Sequence, residues 1–327
     1  MSSHTNDPDF RYSNDNRTSS ASYSAYPSQG EPPPGVKKGE TSYYPNDNGG
    51  FYANSNRLNF TNSDSQYPNS NYEPGSAPAL YSTSSLEFNK ADSDFLEIGD
   101  ISSIAGNKEE LSLSLWFKLT GSLSEYHGVL GSQANKIGEI YYNHPMQNFS
   151  ITTLSNTNNT LSVSGPSSQA PIVQNRWFHF AMTFSKRSAT SGRNMAYLHD
   201  TSTLTASISS RTDADTQTDA NLFNGLSLGV NRRWANYGSI IIDEFALFPY
   251  ELTAGQIRNI IEGQSNGAAF LPNNGRILKP GDLSTFNPIG WWRMGEDDGP
   301  ISSIVTDLGN NNHGTINGAT FSNDTPS

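Results

Sequence analysis

Apolar and polar residues alternate along the middle of the chain with the period of two that is typical of β-strands. Residues 111–119 (LSLSLWFKL) place five large apolar side chains on one face and serine, tryptophan and lysine on the other. Residues 176–184 (RWFHFAMTF) repeat this alternation with phenylalanine and methionine. Both patterns predict half-buried strands of an antiparallel sheet.

Shorter runs of strand-forming residues occur on both sides of these two segments, joined by connections rich in Asn, Gly and Ser. Many short strands at close spacing, with little helix between them, predict an all-β fold, a two-sheet antiparallel jelly-roll sandwich. The further predicted strands are residues 86–88, 95–98, 128–133, 139–142, 149–154, 160–164, 194–199, 203–208 and 226–230.

One segment, residues 238–263, combines a buried strand with a short helix. Residues 240–248 form an apolar run of strand length, and Pro249 ends it because proline lacks a backbone donor. Thr253 and Gln256 have the spacing of a capping box, which predicts the start of a helix, and Gly263 predicts its end. This helix carries an apolar stripe, so we expect it to cover the core.

The first 84 residues have a different composition from the rest of the chain. They are dominated by Ser, Asn, Pro, Gly, Asp and Tyr and show no sustained hydrophobic period, which predicts a long extended arm without a core of its own. Nine of the 15 tyrosines lie here, and tyrosine gives a large contact area at low entropic cost. One interpretation is an arm that anchors on another protein, and the alternative is a simple spacer. The residues expected to anchor it are Tyr12, Tyr23, Tyr26, Tyr43, Tyr44 and Tyr52.

Five segments, taken in order, resemble motifs of laminin-G-like (LamG) domains of the concanavalin A-like lectin/glucanase superfamily. They are SLEFNKADSDFLEIG, LSLSLWFKL, RWFHFAMTF, MAYLHDTSTLTASI and LSLGVNRRWANYGSIIIDEFALFPYELTAGQI. The resemblance implies one sandwich over residues 85–263 and a lectin-like class of function, but it does not name a ligand.

The C-terminal residues contain a motif that stands at the other end of a typical LamG domain. Residues 290–321 (GWWRMGEDDGPISSIVTDLGNNNHGTINGATF) resemble the segment that opens such a domain. We therefore expect a circularly permuted sandwich, in which residues 264–287 are a linker and residues 288–327 add the missing strands. The alternative is that these strands complete the sandwich of a neighbouring subunit.

Charge and cysteine content limit the classes of partner. The net charge of −11 argues against wrapping nucleic acid or lying on an anionic membrane. The absence of cysteine excludes disulfide scaffolds, thiol catalysis and zinc–thiolate sites. No basic segment followed by an apolar run opens the sequence, and no apolar stretch reaches transmembrane length, so we expect neither a secretory signal nor membrane insertion.

The sequence lacks a recognisable catalytic pattern. Glucanases of this superfamily use an E-x-D-x-E strand, and that motif is absent. Adjacent acidic pairs such as Asp243–Glu244 should point to opposite faces of a strand. We therefore predict that the protein is not an enzyme.

One acidic residue stands in an apolar strand and is a candidate metal ligand. Asp243 is expected to share a strand face with Ile241, Phe245 and Leu247, where an unpaired carboxylate would be very unfavourable. Backbone N–H groups or an arginine such as Arg293 would compensate the charge. The alternative is a structural calcium ion bound by Asp243 and Glu296. We expect no other cofactor.

Two aromatic and polar clusters are candidate carbohydrate-binding sites, because sugars stack on aromatic rings while amide and guanidinium groups reach their hydroxyls. The alternative is that these residues cover the core or pack against a neighbouring subunit. The first cluster is Asn231, Arg232, Arg233, Trp234 and Tyr237, and the second is Tyr126, His127 and Tyr142, with Tyr141 and His144.

The segment GWWRMGEDDG also resembles sequences in structural proteins of marine bacteriophages. With the tyrosine-rich arm and the lack of cysteine, it suggests a multicopy virion surface protein on a capsid or tail. Its arm would bind other virion proteins, and its lectin-like domain would bind host-surface glycans. The alternatives are a decoration or cement protein without a glycan ligand, and an extracellular lectin-like adhesin of a cell.

Overall fold

The computed structural model describes most of the second of two units into which the chain divides. These units are residues 1–78 and residues 79–327. All six tyrosines expected to anchor the arm lie outside the described residues, and only residues 82–84 of the predicted arm lie within them. The described residues are 82–132, 139–155, 160–164, 172–201, 205–231, 235–268, 279–296, 298 and 302–326.

The described part of the chain contains strands, two short α-helices and three short 3-10 helices. None of these helices is long and apolar enough to cross a membrane. In chain order the elements are β1 (Ser85–Phe88), β2 (Phe95–Gly99), α1 (Ser102–Ala105), β3 (Glu110–Leu119), β4 (His127–Ser132), β5 (Glu139–Asn143), β6 (Asn148–Thr152), β7 (Thr160–Ser164), β8 (Trp177–Ser188), β9 (Ser191–Asp200), β10 (Thr205–Asp213), β11 (Leu226–Leu228), β12 (Val230–Asn231), β13 (Asn236–Tyr237), β14 (Ile240–Phe248), α2 (Ala254–Ile261), β15 (Gly290–Trp292), β16 (Ile304–Val305), β17 (Gly314–Asn317) and β18 (Thr320–Ser322).

The strands form two antiparallel sheets, which confirms the predicted sandwich. The first sheet has the order β10–β9–β8–β3–β14–β1–β18, and β15 also pairs with β14. The second sheet has the order β16–β17–β2–β11–β4–β5–β6–β7, and β12 and β13 form a separate hairpin. The alternating apolar residues of β3 and β8 fill the space between the sheets. Those residues are Leu111, Leu113, Leu115, Phe117, Leu119, Phe178, Phe180, Met182 and Phe184.

Helix α2 covers the outer face of the first sheet and begins where its sequence predicts. The Thr253 hydroxyl accepts a hydrogen bond from the Gln256 N–H at 3.1 Å, and the Gln256 side chain accepts one from the Thr253 N–H at 3.0 Å. Gly263 follows the helix with a φ of 64°, as a helix-ending glycine should. The outer layer also includes two buried residues of the predicted linker. Its apolar members include Leu252, Ile257, Ile260, Leu283 and Phe286.

The C-terminal segment adds strands to both sheets within the chain. β15 pairs with β14, β17 with β2, and β18 with β1. Trp292 is fully buried, its ring stacks on Phe245 with centroids 5.3 Å apart, and its Nε1 donates to the Asn312 carbonyl at 2.8 Å. The C-terminal strands therefore pair with strands of the same chain.

Strand β14 contains a bulge that changes which residues face the core. Asp243 pairs with Trp116 and Ala246 with Ser114, so three steps on β14 match two on β3. Glu244, inside the bulge, has a φ of 52°.

The bulge contradicts the expected alternation of β14. Ile240 and Ile242 face the main core before it, and Phe245 and Leu247 face that core after it. Asp243, which follows Ile242, therefore lies on the outer face, and it does not share a face with Phe245 and Leu247.

Candidate functional site

The two aromatic clusters predicted from the sequence meet at one end of the second sheet. The β12–β13 hairpin lies directly against the start of β4. A side chain at Gly128 would collide with the backbone of Asn231 and Asn236, so glycine is required for this close approach. The fold therefore brings the hairpin beside Tyr126 and the start of β4.

Several aromatic rings at this end are partly exposed. The Tyr126 ring lies 6.1 Å from the Tyr141 ring and 5.1 Å from the His144 ring, centroid to centroid. Tyr237, on β13, lies 6.3 Å from the Phe95 ring. We call the partly exposed residues Tyr126, Tyr141, His144 and Tyr237 the aromatic end.

Two charged residues border the aromatic end. Lys90 donates to the Glu125 carboxylate at 2.8 Å and to the Tyr126 carbonyl at 3.2 Å. The Lys90 hydrogen bond lowers the pKa of Glu125, whose side chain is exposed. The aromatic end therefore combines ring faces with hydrogen-bonding groups of both charges.

The other residues of the predicted clusters are buried or lie outside the described residues. Tyr142 is buried and packs edge-on against Phe149, with centroids 5.8 Å apart, so its ring offers no face to a sugar. Asn231 is also buried. Arg232, Arg233 and Trp234 lie outside the described residues.

His127 is a buried link between two loops. Its Nε2 lies 2.9 Å from the Ser122 carbonyl, and its Nδ1 accepts a hydrogen bond from the Ser239 N–H at 3.2 Å. A neutral ring with the proton on Nε2 satisfies both bonds. Burial also lowers the pKa of His127, which favours the neutral ring. His127 therefore orders the loops beneath the aromatic end and does not present a free nitrogen to a ligand.

A second candidate site is a group of three carboxylates on the outer side of the first sheet. Asp243, Glu244 and Glu296 each place an oxygen within 4.8 Å of the others. Adjacent residues of a regular strand would point apart, but the bulge brings Asp243 and Glu244 to the same place. Asp243 and Glu296 were predicted as metal ligands from the sequence, whereas Glu244, which the bulge makes the third member, was not.

The three carboxylates differ in their hydrogen bonds. Glu244 accepts from Trp291 Nε1 at 2.6 Å and from Arg293 Nε at 3.1 Å, so the arginine expected to pair with Asp243 pairs with Glu244. One oxygen of Glu296 accepts bonds from the backbone N–H groups of Thr83 and Ser84 and from the Ser82 hydroxyl.

Burial and mutual repulsion raise the proton affinity of this group. Burial raises the pKa of Asp243 well above its ordinary value, and the Glu244 and Glu296 charges raise it further. The Ser82 hydroxyl and Arg293 oppose that rise, although neither Asp243 oxygen has a hydrogen bond of good geometry. Burial also raises the pKa of Glu244, to about 7, against the opposing effects of Arg293 and Trp291. The group can therefore hold protons or a cation.

Two of the three carboxylates are inaccessible to a polymeric substrate. Asp243 and Glu244 are 0% and 1% exposed, whereas a glycosidase needs its two carboxylates on either side of a bound sugar. No other group of three potential metal ligands was found among the described residues.

Comparison with known proteins identifies the domain type. Residues 90–258 match the family model of the concanavalin A-like lectin/glucanases superfamily (Laminin_G_3), which covers just over half of the chain. No curated protein matches the chain.

Several solved structures are similar in fold. Domains LG4-5 of the mouse laminin alpha1 chain have 12% identity and a TM-score of 0.32, over 51% of this chain and 41% of that one. Tailspike protein 2 of Escherichia coli O157:H7 bacteriophage CAB120 has 8% identity and a TM-score of 0.32, over 58% and 28%. The alginate lyase of Aplysia kurodai has 6% identity and a TM-score of 0.30, over 45% and 72%. This chain thus spans less than half of the laminin and tailspike chains. With TM-scores this low, none of these likenesses supports an argument about function.

Proposed function

The chain belongs to the concanavalin A-like lectin/glucanase superfamily, and from this premise we propose that it binds carbohydrate at the aromatic end without cleaving it. The observation that carries the proposal is the meeting of two clusters that are about 100 residues apart in sequence. Tyr126, Tyr141 and His144 come from one cluster and Tyr237 from the other.

The chemistry of this end suits a sugar. Partly exposed aromatic rings offer apolar faces for stacking, while the polar tips of tyrosine and histidine reach hydroxyl groups. Lys90 and Glu125 add a donor and an acceptor at the border. Arg232, Arg233 and Trp234 belong to the same hairpin in sequence, so we include them in the proposed site.

We propose that binding is the whole activity of the domain. Among the described residues, Asp243, Glu244 and Glu296 form a close group of acids, and Asp243 and Glu244 are buried. The E-x-D-x-E pattern of the glucanases is absent from the sequence.

The biological setting that we propose is the surface of a virion. The tyrosine-rich N-terminal residues would anchor the protein on other virion proteins, and the sandwich would display the aromatic end to host glycans. The support is the composition of residues 1–84, the lack of cysteine and the bacteriophage-like segment at residues 290–299. Many copies on one particle would convert weak sugar contacts into firm attachment.

A cement or decoration role is the second candidate, and one observation favours it. Met146 is 67% exposed in the turn between β5 and β6, two residues from His144. A large exposed apolar side chain beside partly exposed rings also suits contact with a neighbouring protein subunit.

A binding assay on the full chain separates these two functions. The protein, made multivalent on beads, is tested on a glycan array and on host cells, beside Tyr126→Ala and Trp234→Ala variants. Ile208→Ala is the matched control, because Ile208 is 55% exposed on β10 of the other sheet. We expect glycan binding that both aromatic variants lose and the control keeps. A folded wild-type protein that binds no glycan, or variants that bind as well as wild type, would favour the cement role.

A further inference from the structure

We propose that helix α2 is an acid-released cover, which leaves the outer face of the first sheet when His179 beneath it is protonated. This inference is independent of carbohydrate binding. It rests on the burial of His179 under the helix, on its hydrogen bonds and on the charged groups around it.

The position of His179 places it under helix α2. Its neighbours in sequence, Phe178 and Phe180, face the main core, so His179 lies on the outer face of β8 between Trp177 and Ala181. Trp177 belongs to a buried cluster that includes Ile261 of α2, and Ala181 belongs to one that includes Ile257 and Ile260. His179 itself is fully buried. Because both of its neighbours on this face pack with α2, the helix covers the imidazole.

The hydrogen bonds of His179 suit a neutral ring. Its Nε2 lies 3.3 Å from the Ser114 hydroxyl, while its buried Nδ1 has no partner. The Trp116 ring packs edge-on against it, with centroids 5.1 Å apart. An imidazolium would carry two N–H donors, and the one on Nδ1 would stay buried and unpaired. Protonation beneath the closed helix is therefore very unfavourable.

The charged groups around His179 do not compensate a positive charge. Among the described residues no carboxylate is hydrogen-bonded to it, and the nearest titratable ring is another imidazole, that of His199, at 6.1 Å between centroids. Burial lowers the pKa of His179 well below its ordinary value, and the His199 charge lowers it further. The other titratable or charged residues of the surrounding elements are Lys118 on β3, which pairs with Asp324, Tyr197 on β9, Asp243 and Glu244 on β14, and Arg258 on α2, which pairs with Glu262.

Acid should therefore favour a state in which His179 is solvated. A group whose pKa is lowered by folding stabilises the folded state above its unfolded pKa, about 6.5 for histidine, and this stabilisation is lost as the pH falls below that value. Lifting α2 solvates His179 without separating the two sheets. The opening equilibrium should rise by up to about tenfold for each pH unit below about 6.5. Opening would expose apolar residues that the helix covers, such as Trp116 and Phe248.

The carboxylates of β14 would give a response of the opposite sign. Burial raises the pKa of Asp243 well above its ordinary value and that of Glu244 to about 7. Acids with a raised pKa bind protons more tightly in the folded state, so acidification stabilises the fold through them. An opening of α2 that grows in acid therefore indicates a buried histidine, and His179 is the one beneath this helix.

Hydrogen exchange of the full chain, measured from about pH 7 to about pH 5, tests the proposal. The informative amides are those of Ile257 and Glu262, which donate to the Thr253 and Arg258 carbonyls at 2.9 and 3.1 Å. After correction for intrinsic rates, both should exchange up to about tenfold faster for each unit of acidification below about pH 6.5. The amides of β3 and β8 should respond less, because the sheets stay closed.

Two variants assign the response to His179. His179→Gln should abolish it, because the glutamine amide can bond to the Ser114 hydroxyl but does not titrate. His144→Gln, which replaces a partly exposed histidine beside Tyr126, should keep it. A folded His179→Gln variant that keeps the wild-type response would overturn the proposal.

The wild-type protein gives a test that needs no variant. Faster exchange in α2 than in β3 and β8 on acidification is the result we expect. Corrected exchange of α2 that does not change with pH would overturn the proposal. Equal acceleration in all three elements would also overturn it, because that pattern indicates global unfolding and not the release of one helix.

Discussion

Gly128 connects the fold to the proposed binding site, and its replacement by alanine should displace the β12–β13 hairpin. A Cβ at this position would lie less than 3 Å from backbone atoms of Val230, Asn231 and Asn236. Backbone cannot swing aside as a flexible side chain can, so the hairpin must move away from β4. Overpacking of this kind costs about 1 to 3 kcal/mol.

The expected effect is measurable by melting and by hydrogen exchange. For a unit of this size each kcal/mol lowers the melting temperature by about 2 to 4 °C. The Gly238 N–H, which donates to the Gly229 carbonyl at 2.8 Å, should exchange faster in the variant. Glycan binding should be lost, because Tyr237 would move away from Tyr126.

Leu130→Ala is the matched control for this prediction. Leu130 lies two residues further along β4 and is buried in the main core, so its truncation should cost about 2 to 5 kcal/mol. It should nevertheless keep glycan binding below its melting temperature, because it leaves the hairpin contact intact. A Gly128→Ala variant with wild-type melting, exchange and binding would show that the hairpin does not depend on close contact with Gly128.

Two further predictions concern the C-terminal segment and acid sensitivity. Trp292→Ala should destabilise the full chain by about 3 to 5 kcal/mol in urea unfolding, because it leaves a cavity in the core against Phe245. The control variant Trp292→Phe should lower the stability less. Near wild-type stability of Trp292→Ala would show that β15 does not pack as described. Because burial lowers the pKa of His127, the folded state favours the neutral ring. The neutral ring should therefore stabilise the fold fully above the unfolded pKa of about 6.5, and this stabilisation should be lost as the pH falls below that value. Protonation removes the Nδ1 acceptor, so exchange of the Ser239 N–H, corrected for intrinsic rates, should accelerate on acidification in wild type; an exchange rate that stays constant after this correction would contradict the prediction.

The sequence was sufficient to predict those parts of the fold that follow from local periodicity. The two-residue alternation of residues 111–119 and 176–184 identifies β3 and β8, because one face of each fills the core between the sheets. The capping box of Thr253 and Gln256 marks the start of α2, since both of its hydrogen bonds are local.

The bulge of β14 was not predicted, because it depends on pairing with β3 and not on β14 alone. Apart from Asp243 and Glu244, residues 240–248 are apolar at every position, so either face could be the inner one. Only the structure shows that the inward-facing positions shift by one residue at the bulge, because Ile242 and Phe245, three residues apart, both face the main core. Glu244 was missed for this reason, and the face of Asp243 was misjudged.

The aromatic end was predicted by residue type but not by exposure. Composition alone grouped Tyr126, His127 and Tyr142, whereas the fold buries the last two. The two-residue alternation of β5 could have predicted the burial of Tyr142. Ile140 and Tyr142 are two residues apart and share the core face, while Tyr141 between them is partly exposed.

The most direct test of carbohydrate binding at the aromatic end is hydroxyl-radical footprinting of the full chain with a glycan that the array selects. We expect the glycan to protect Tyr126, Tyr141, His144 and Tyr237. Labelling of Tyr250, whose hydroxyl donates to the Phe286 carbonyl on the outer layer, should stay unchanged. Protection confined to other surfaces, or the absence of any selected glycan for the folded multivalent protein, would contradict carbohydrate binding at the aromatic end.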